Sequence, residues 1–140
     1  MKRKGLFIFL LAIFLCSCKT DYSNYDVKIS FTPAKYYKSE IRCVEKMLPP
    51  YKSNLISDLK QARTVSSLFV PKSEPAEGLY QILLYENGAC VGDYEVCDID
   101  YLIDKKNDCY LKCKNILYDV QAIFYMQIMI NNMEIPIEIP

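Results

Sequence analysis

Val27, Ile29 and Phe31 alternate with Lys28 and Ser30 before Pro33. A period of two places the three apolar residues on one face of a strand. Residues 39–47 carry Ile41, Cys43 and Met47 on one side. That spacing predicts a second strand, and a helix fits the same stretch. Pro49-Pro50 then interrupts the pattern. The run SNLISDLKQAR is different: Leu55, Ile56, Leu59 and Ala62 form a stripe at helical spacing, with Asp58, Lys60 and Gln61 elsewhere. It predicts a helix that Ser53 or Asn54 caps. PKSEPAEG follows as a surface loop.

From Leu79 onward the alternation becomes that of a β-meander. LYQILLYENGACVGDYEV centres on Asn87-Gly88. A type I′ turn needs positive φ at both central residues, and this dipeptide supplies them. Glu86 then faces Ala89, and Tyr85 faces Cys90. A second hairpin turns through DKKND and joins residues 94–102 to residues 108–114. The last segment, FYMQIMINNMEIPIEIP, reads as a hairpin turning at Asn131-Asn132. Ile130 then faces Met133, Ile128 faces Ile135, Met126 faces Ile137 and Phe124 faces Ile139. In that register Pro136 and Pro140 fall in the outward N–H series, where a missing donor costs nothing. The last strand is thus a protected edge. The expected architecture is α+β: an antiparallel sheet of about five to seven strands, meander-like in its C-terminal half, with one packed helix.

The first residues follow another rule. Lys2-Arg3-Lys4 is a basic start without an acid. Residues 6–15 are apolar, a length suited to a secretory signal core and short of the roughly 18–20 residues that span a bilayer. The run ends in Leu15-Cys16-Ser17-Cys18. This resembles the lipobox of bacterial lipoproteins, with Leu at −3, a small residue at −1 and Cys at +1. The resemblance covers the first eighteen or so residues and implies cleavage after Ser17. Residues 1–17 are then a signal peptide, and Cys18 carries the acyl chains. Cys16 leaves with the peptide. Residues 18–25 hold the lipidated Cys and a short tether, and residues 26–140 form a single domain. The implied location is the cell envelope, anchored to the membrane through Cys18. Lys19 after that Cys differs from the Asp that marks inner-membrane retention in enteric lipoproteins. It points to the outer membrane where the host has one, and otherwise to the plasma membrane.

Charge changes little in this picture. The chain has 17 basic and 17 acidic residues, and loss of Lys2, Arg3 and Lys4 with the signal leaves 14 against 17, a net charge near −3. No basic stripe marks a nucleic-acid partner. The chain contains no His and no Trp. Triads that need an imidazole base are therefore excluded, as is the commonest metal ligand. Twelve tyrosines offer rigid rings with polar tips, suited both to a β-rich core and to a binding surface.

Five cysteines remain beyond Cys18: Cys43, Cys90, Cys97, Cys109 and Cys113. An exported chain favours disulfides. Cys109 and Cys113 on one strand lie ~13 Å apart, too far to bridge. A five-residue turn over DKKND sets Cys97 opposite Cys113, the first candidate pair. Cys43 with Cys90 or Cys109 is another. An odd number leaves one thiol over. The C-x6-C-x11-C-x3-C spacing lacks the short paired intervals of zinc sites, so no metal is expected. Asp93, Glu95, Asp98, Asp100 and Asp104 alternate with apolar residues, as on the solvated side of a strand. They lack the spacing of a calcium loop. No phosphate-binding glycine loop occurs.

Neither an enzyme, a cofactor nor a small-molecule substrate is expected. The sequence points to a membrane-anchored protein-binding module of the inhibitor, immunity or accessory type, with a Tyr-rich sheet surface as its recognition face. The alternative is a structural or assembly component of the envelope.

Overall fold

The computed structural model describes residues 22–34, 42–45, 47–72 and 78–133. Among them, seven strands form one antiparallel sheet. They are β1 (Tyr25–Pro33), β2 (Arg42–Val44), β3 (Arg63–Val65), β4 (Gly78–Glu86), β5 (Ala89–Asp98), β6 (Tyr101–Asp104) and β7 (Cys109–Lys112). Two helices accompany them: α1 (Pro49–Gln61) and α2 (Ile116–Met133). The strand order is β2-β1-β4-β5-β6-β7-β3. The meander β4-β5-β6-β7 is its centre, and β3 returns to pair outside β7. The α+β expectation holds, with two helices in place of one.

Alternation decides which face of the sheet is dry. Val27 and Ile29 of β1, Tyr80, Ile82 and Leu84 of β4, Val96 of β5, Leu102 of β6 and Leu111 of β7 are all buried. Both helices pack on that face. Leu55, Ile56 and Leu59 enter from α1, and Ile116, Val120, Ile123 and Phe124 from α2. Full burial of each such side chain contributes about 1.5–3 kcal/mol. The rings of Phe124 and Tyr80 meet edge to face at 5.8 Å, and Phe31 lies 4.7 Å from Tyr80.

The Asn87-Gly88 turn forms as expected, with φ of 50° and 82°. Glu86 pairs with Ala89 and Tyr85 with Cys90. The next hairpins differ from expectation. The chain turns already at Ile99-Asp100, so residues 94–102 divide between β5 and β6. Asp98 Oδ1 accepts the Ile99 N–H at 2.8 Å, and Asp100 Oδ1 accepts the Asn115 N–H at 2.7 Å. Carboxylates that satisfy turn N–H groups fix the bend there. The following turn runs from Asp104 to Cys109. Asp104, only 6% exposed, holds it by accepting the N–H groups of Lys106 and Asn107 and the Asn107 amide. It is therefore not on a solvated face.

The expected C-terminal hairpin is corrected more deeply. Residues 116–133 are one helix, so Asn131-Asn132 is not a turn and residues 124–130 are not a strand. Ile135, Pro136, Ile137, Ile139 and Pro140 lie outside the described residues. The apolar run from Ile116 to Ile130 is too long for a strand, and Ile116, Val120, Ile123 and Phe124 recur at helical spacing. Helix α1 also starts earlier than its stripe suggests. Pro49 and Pro50 fill its first positions, where an N–H has no partner to lose, and Leu48 is the N-cap without a side-chain bond. Ser53 and Asn54 lie inside the helix. Within the expected tether, Tyr25 begins β1, and Tyr22 and Tyr25 pack against each other at 5.7 Å. Lys60 Nζ donates to the Tyr25 hydroxyl at 2.9 Å.

Gly78 has φ of +147°, and a Cβ there would strike the Thr32 carbonyl and the Phe31 ring. Gly78→Ala should cost about 1–3 kcal/mol. The reading is a lower urea midpoint with an unchanged m value. Gly88→Ala meets open space but keeps φ of +82°, and should cost only the roughly 1–2 kcal/mol of that backbone conformation. Equal stability of Gly78→Ala and the parent would show that the β1–β4 pairing at this end is misplaced.

Candidate functional site

The connection between β7 and α2 is held by the Ile99-Asp100 turn. Cys113 N–H donates to the Asp100 carbonyl at 2.8 Å, and Leu117 N–H to the Ile99 carbonyl at 3.1 Å. Asn115 takes φ of 58°, a conformation that Asn tolerates. The first turn of α2 is thus placed beside α1. Between the two helices lies an open cleft of about 390 Å³. Tyr51, Asn54 and Asp58 line it from α1, and Asp119, Ala122 and Ile123 from α2.

Asp58 and Asp119 face this cleft together. Burial, and then the charge of Asp119, holds the Asp58 carboxyl above the usual carboxylate range. Burial raises Asp119 likewise. Among the described residues neither carboxylate makes an ion pair. The two salt bridges there join Lys28 to Glu45 and Lys105 to Glu95. A smaller hollow of about 190 Å³ shares Asp58 and is lined also by Lys112, Cys113 and Lys114.

Helix α2 has a single charged residue, Asp119, in eighteen. Its inner stripe is spent on the core. Its outer stripe, Tyr118, Ala122, Tyr125 and Met129, recurs at intervals of four, three and four, the spacing of one helix face. Tyr118 is 55% exposed, Tyr125 51% and Met129 63%. Ala122 belongs to both stripe and cleft, so the apolar stripe passes along the cleft's lip. Among the described tyrosines these two alone stand in the exposed class. Tyr85, Tyr101 and Tyr110 point from the open face of the sheet and are half-buried. No helix among the described residues is long and apolar enough to cross a membrane.

The five cysteines are free. Cys97 is not opposite Cys113: β6 lies between β5 and β7, because the chain reverses at Ile99-Asp100. Cys43 is exposed on β2, and Cys90 Sγ donates to the Gly92 carbonyl at 3.5 Å. Cys109 packs against the core. Cys113 is buried, its Sγ 3.7 Å from the Asp58 carbonyl. Burial pushes the Cys97 and Cys113 thiols up to about 11, so neither is a ready nucleophile. Among the described residues no three Cys, Asp or Glu side chains converge as a metal would require. Cys18 lies outside the described residues.

Of the acids expected on one solvated strand face, Asp93 and Glu95 keep the open face of β5, and the other three are drawn to turns. Asp93 accepts the Gln81 amide at 2.9 Å, Glu95 pairs with Lys105, and Asp98, Asp100 and Asp104 hold turns. Asp58 and Asp119 were the pair to find. Their signal is the one charge in the apolar run from Ile116, matched by an acid on the polar side of α1.

The raised carboxyl groups give a pH test. A proton binds the native Asp58 more readily than the unfolded one. Its contribution to stability is therefore present in acid and lost as pH rises through the native pKa. At neutral pH the ionised pair opposes folding. Asp58→Asn should raise the thermal midpoint at pH 7 by roughly 1–4 °C, a half-exposed site giving the low end. The gain should shrink as pH falls towards the ordinary carboxylate range. Asp119→Asn should gain less, because it also removes an acid from the first turn of α2. A destabilising Asp58→Asn at pH 7 would contradict the arrangement.

The chain matches no protein-family model, no curated protein and no solved structure.

Proposed function

We propose that this chain is a small protein-binding module tethered to the bacterial cell envelope. One observation carries the reading: α2 turns a stripe of large apolar side chains, Tyr118, Tyr125 and Met129, to solvent while its other face closes the core. A helix apolar on both sides is ordinarily covered on both, and aromatic rings dominate binding energy at protein interfaces. The recognition face is thus α2, in place of the open sheet face that composition suggested.

The tether is the lipobox reading of Leu15-Cys16-Ser17-Cys18, with Cys18 acylated. Several acyl chains on one residue hold a protein stably at a bilayer, whereas one holds it marginally. Tyr22 packs on the domain only four residues later, so the module sits close to its membrane. With Lys19 next to the anchor, the proposed site is the outer membrane of a host that has one, and otherwise the plasma membrane.

Mass spectrometry of the mature chain should find residue 18 as the N-terminus with acyl chains attached. Cys18→Ala should release the protein from membranes into the soluble fraction and remove the lipid mass. Membrane association retained without lipid would overturn the tether. Pull-down of the acylated chain from detergent-solubilised membranes should return one partner in fixed stoichiometry, reduced by Tyr118→Ser with Tyr125→Ser. Ladders of the chain alone would favour the structural role.

A further inference from the structure

We infer that the interhelical cleft and the adjoining α2 stripe dock a polypeptide that presents a lysine or arginine flanked by apolar residues. The inference rests on the protein-binding reading and names the partner's chemistry. Asp58 and Asp119 line the cleft from different helices and, among the described residues, neither makes an ion pair. Like charges brought together in a partly dry cleft repel, and an incoming cation offsets that repulsion and part of the cost of burial. The rest of the site fits a side chain with an apolar stem and a charged head. Tyr51 lines the same cleft and brings an aromatic ring, the group that attracts cations. Leu55, Ala122 and Ile123 line the apolar wall, and Asn54 and Ser57 offer hydrogen bonds to the head group. About 390 Å³ suits one long side chain and is near the lower limit for a pocket that encloses a whole small ligand. The partner's flanking residues then cover Tyr118, Tyr125 and Met129, which the cleft alone leaves wet. Charge placed at the centre with aromatic rings around it gives specificity as well as affinity.

Lys112 and Lys114 line the neighbouring hollow that Asp58 shares and that Asp119 does not line. They bias the entering cation towards the Asp119 side, away from their own charge. The inference therefore places the partner's basic head between the two acids, with its backbone running along α2.

Random peptides displayed on phage, panned on the full chain in detergent, supply the probe. Winning peptides should carry Lys or Arg between apolar residues. Their affinity should fall about tenfold on the double change Asp58→Asn with Asp119→Asn, and comparably on Tyr125→Ser. It should also fall as pH drops through the carboxyl range and as salt rises. Tyr101→Ser with Tyr110→Ser, on the open sheet face, should leave it unchanged. The Asp→Asn variants keep their thermal midpoint or exceed it, so lost binding is not lost folding. Winners without a basic residue, or unaffected by the cleft changes, overturn this inference. If those winners respond to the sheet-face changes, the protein-binding reading survives without it. An aliphatic amine that displaces the peptides at their own concentration makes the site one for small cations, against the polypeptide. Absence of any binding peptide overturns both readings.

Discussion

A sheet with one apolar face cannot leave that face in water. Here the constraint is severe, because β1, β4, β5, β6 and β7 all contribute buried side chains to the same side. A hairpin or loop could not cover so broad a face and satisfy its own backbone. Two helices can, since each closes its hydrogen bonds internally. Their positions then follow from two attachments. Pro49-Pro50 starts α1 directly after β2, and the Ile99-Asp100 turn grips residues 113–117 and launches α2 across the sheet.

Covering the sheet also creates the cleft. Each helix spends its best apolar stripe on the core: Leu55, Ile56 and Leu59 from α1, and Ile116, Val120, Ile123 and Phe124 from α2. What remains between the helices is polar on one side and apolar on the other. Asp58 and Asp119 share that space without an ion pair among the described residues, and α2 keeps an outer stripe that the described residues leave exposed. Both features oppose stability or solubility in the free chain. Local conflicts of this kind concentrate where proteins bind something else. The two conflicts adjoin at Ala122, so the proposed partner would meet both.

Much of the fold was legible because alternation is a strong local signal. Val27, Ile29 and the Asn87-Gly88 turn were placed to the residue. The helix over Leu55 to Ala62 was found from its stripe, although its proline start was taken for a break. The C-terminal half of α2 was misread because Phe124 to Ile130 is apolar at nearly every position, so a period of two fits as well as one of 3.6. Only the longer window, back to Ile116, separates them. The turn at Ile99-Asp100 was missed for another reason. Its stability comes from contacts with Cys113, Asn115 and Leu117, about fifteen residues away in sequence, and no local pattern announces them. Missing it also produced the Cys97–Cys113 pairing. The cleft was illegible in principle, since it joins α1 and α2 across the sheet.

The placement of α2 is the claim on which the cleft, the stripe and the partner chemistry all stand. Nuclear magnetic resonance of the full chain in detergent micelles tests it directly. Helical carbon shifts should run without a break from Ile116 to Met133, and cross-relaxation should connect the Phe124 and Tyr80 rings, whose centroids lie 5.8 Å apart. Extended-strand shifts over residues 124–130, with no Phe124–Tyr80 contact, would contradict it.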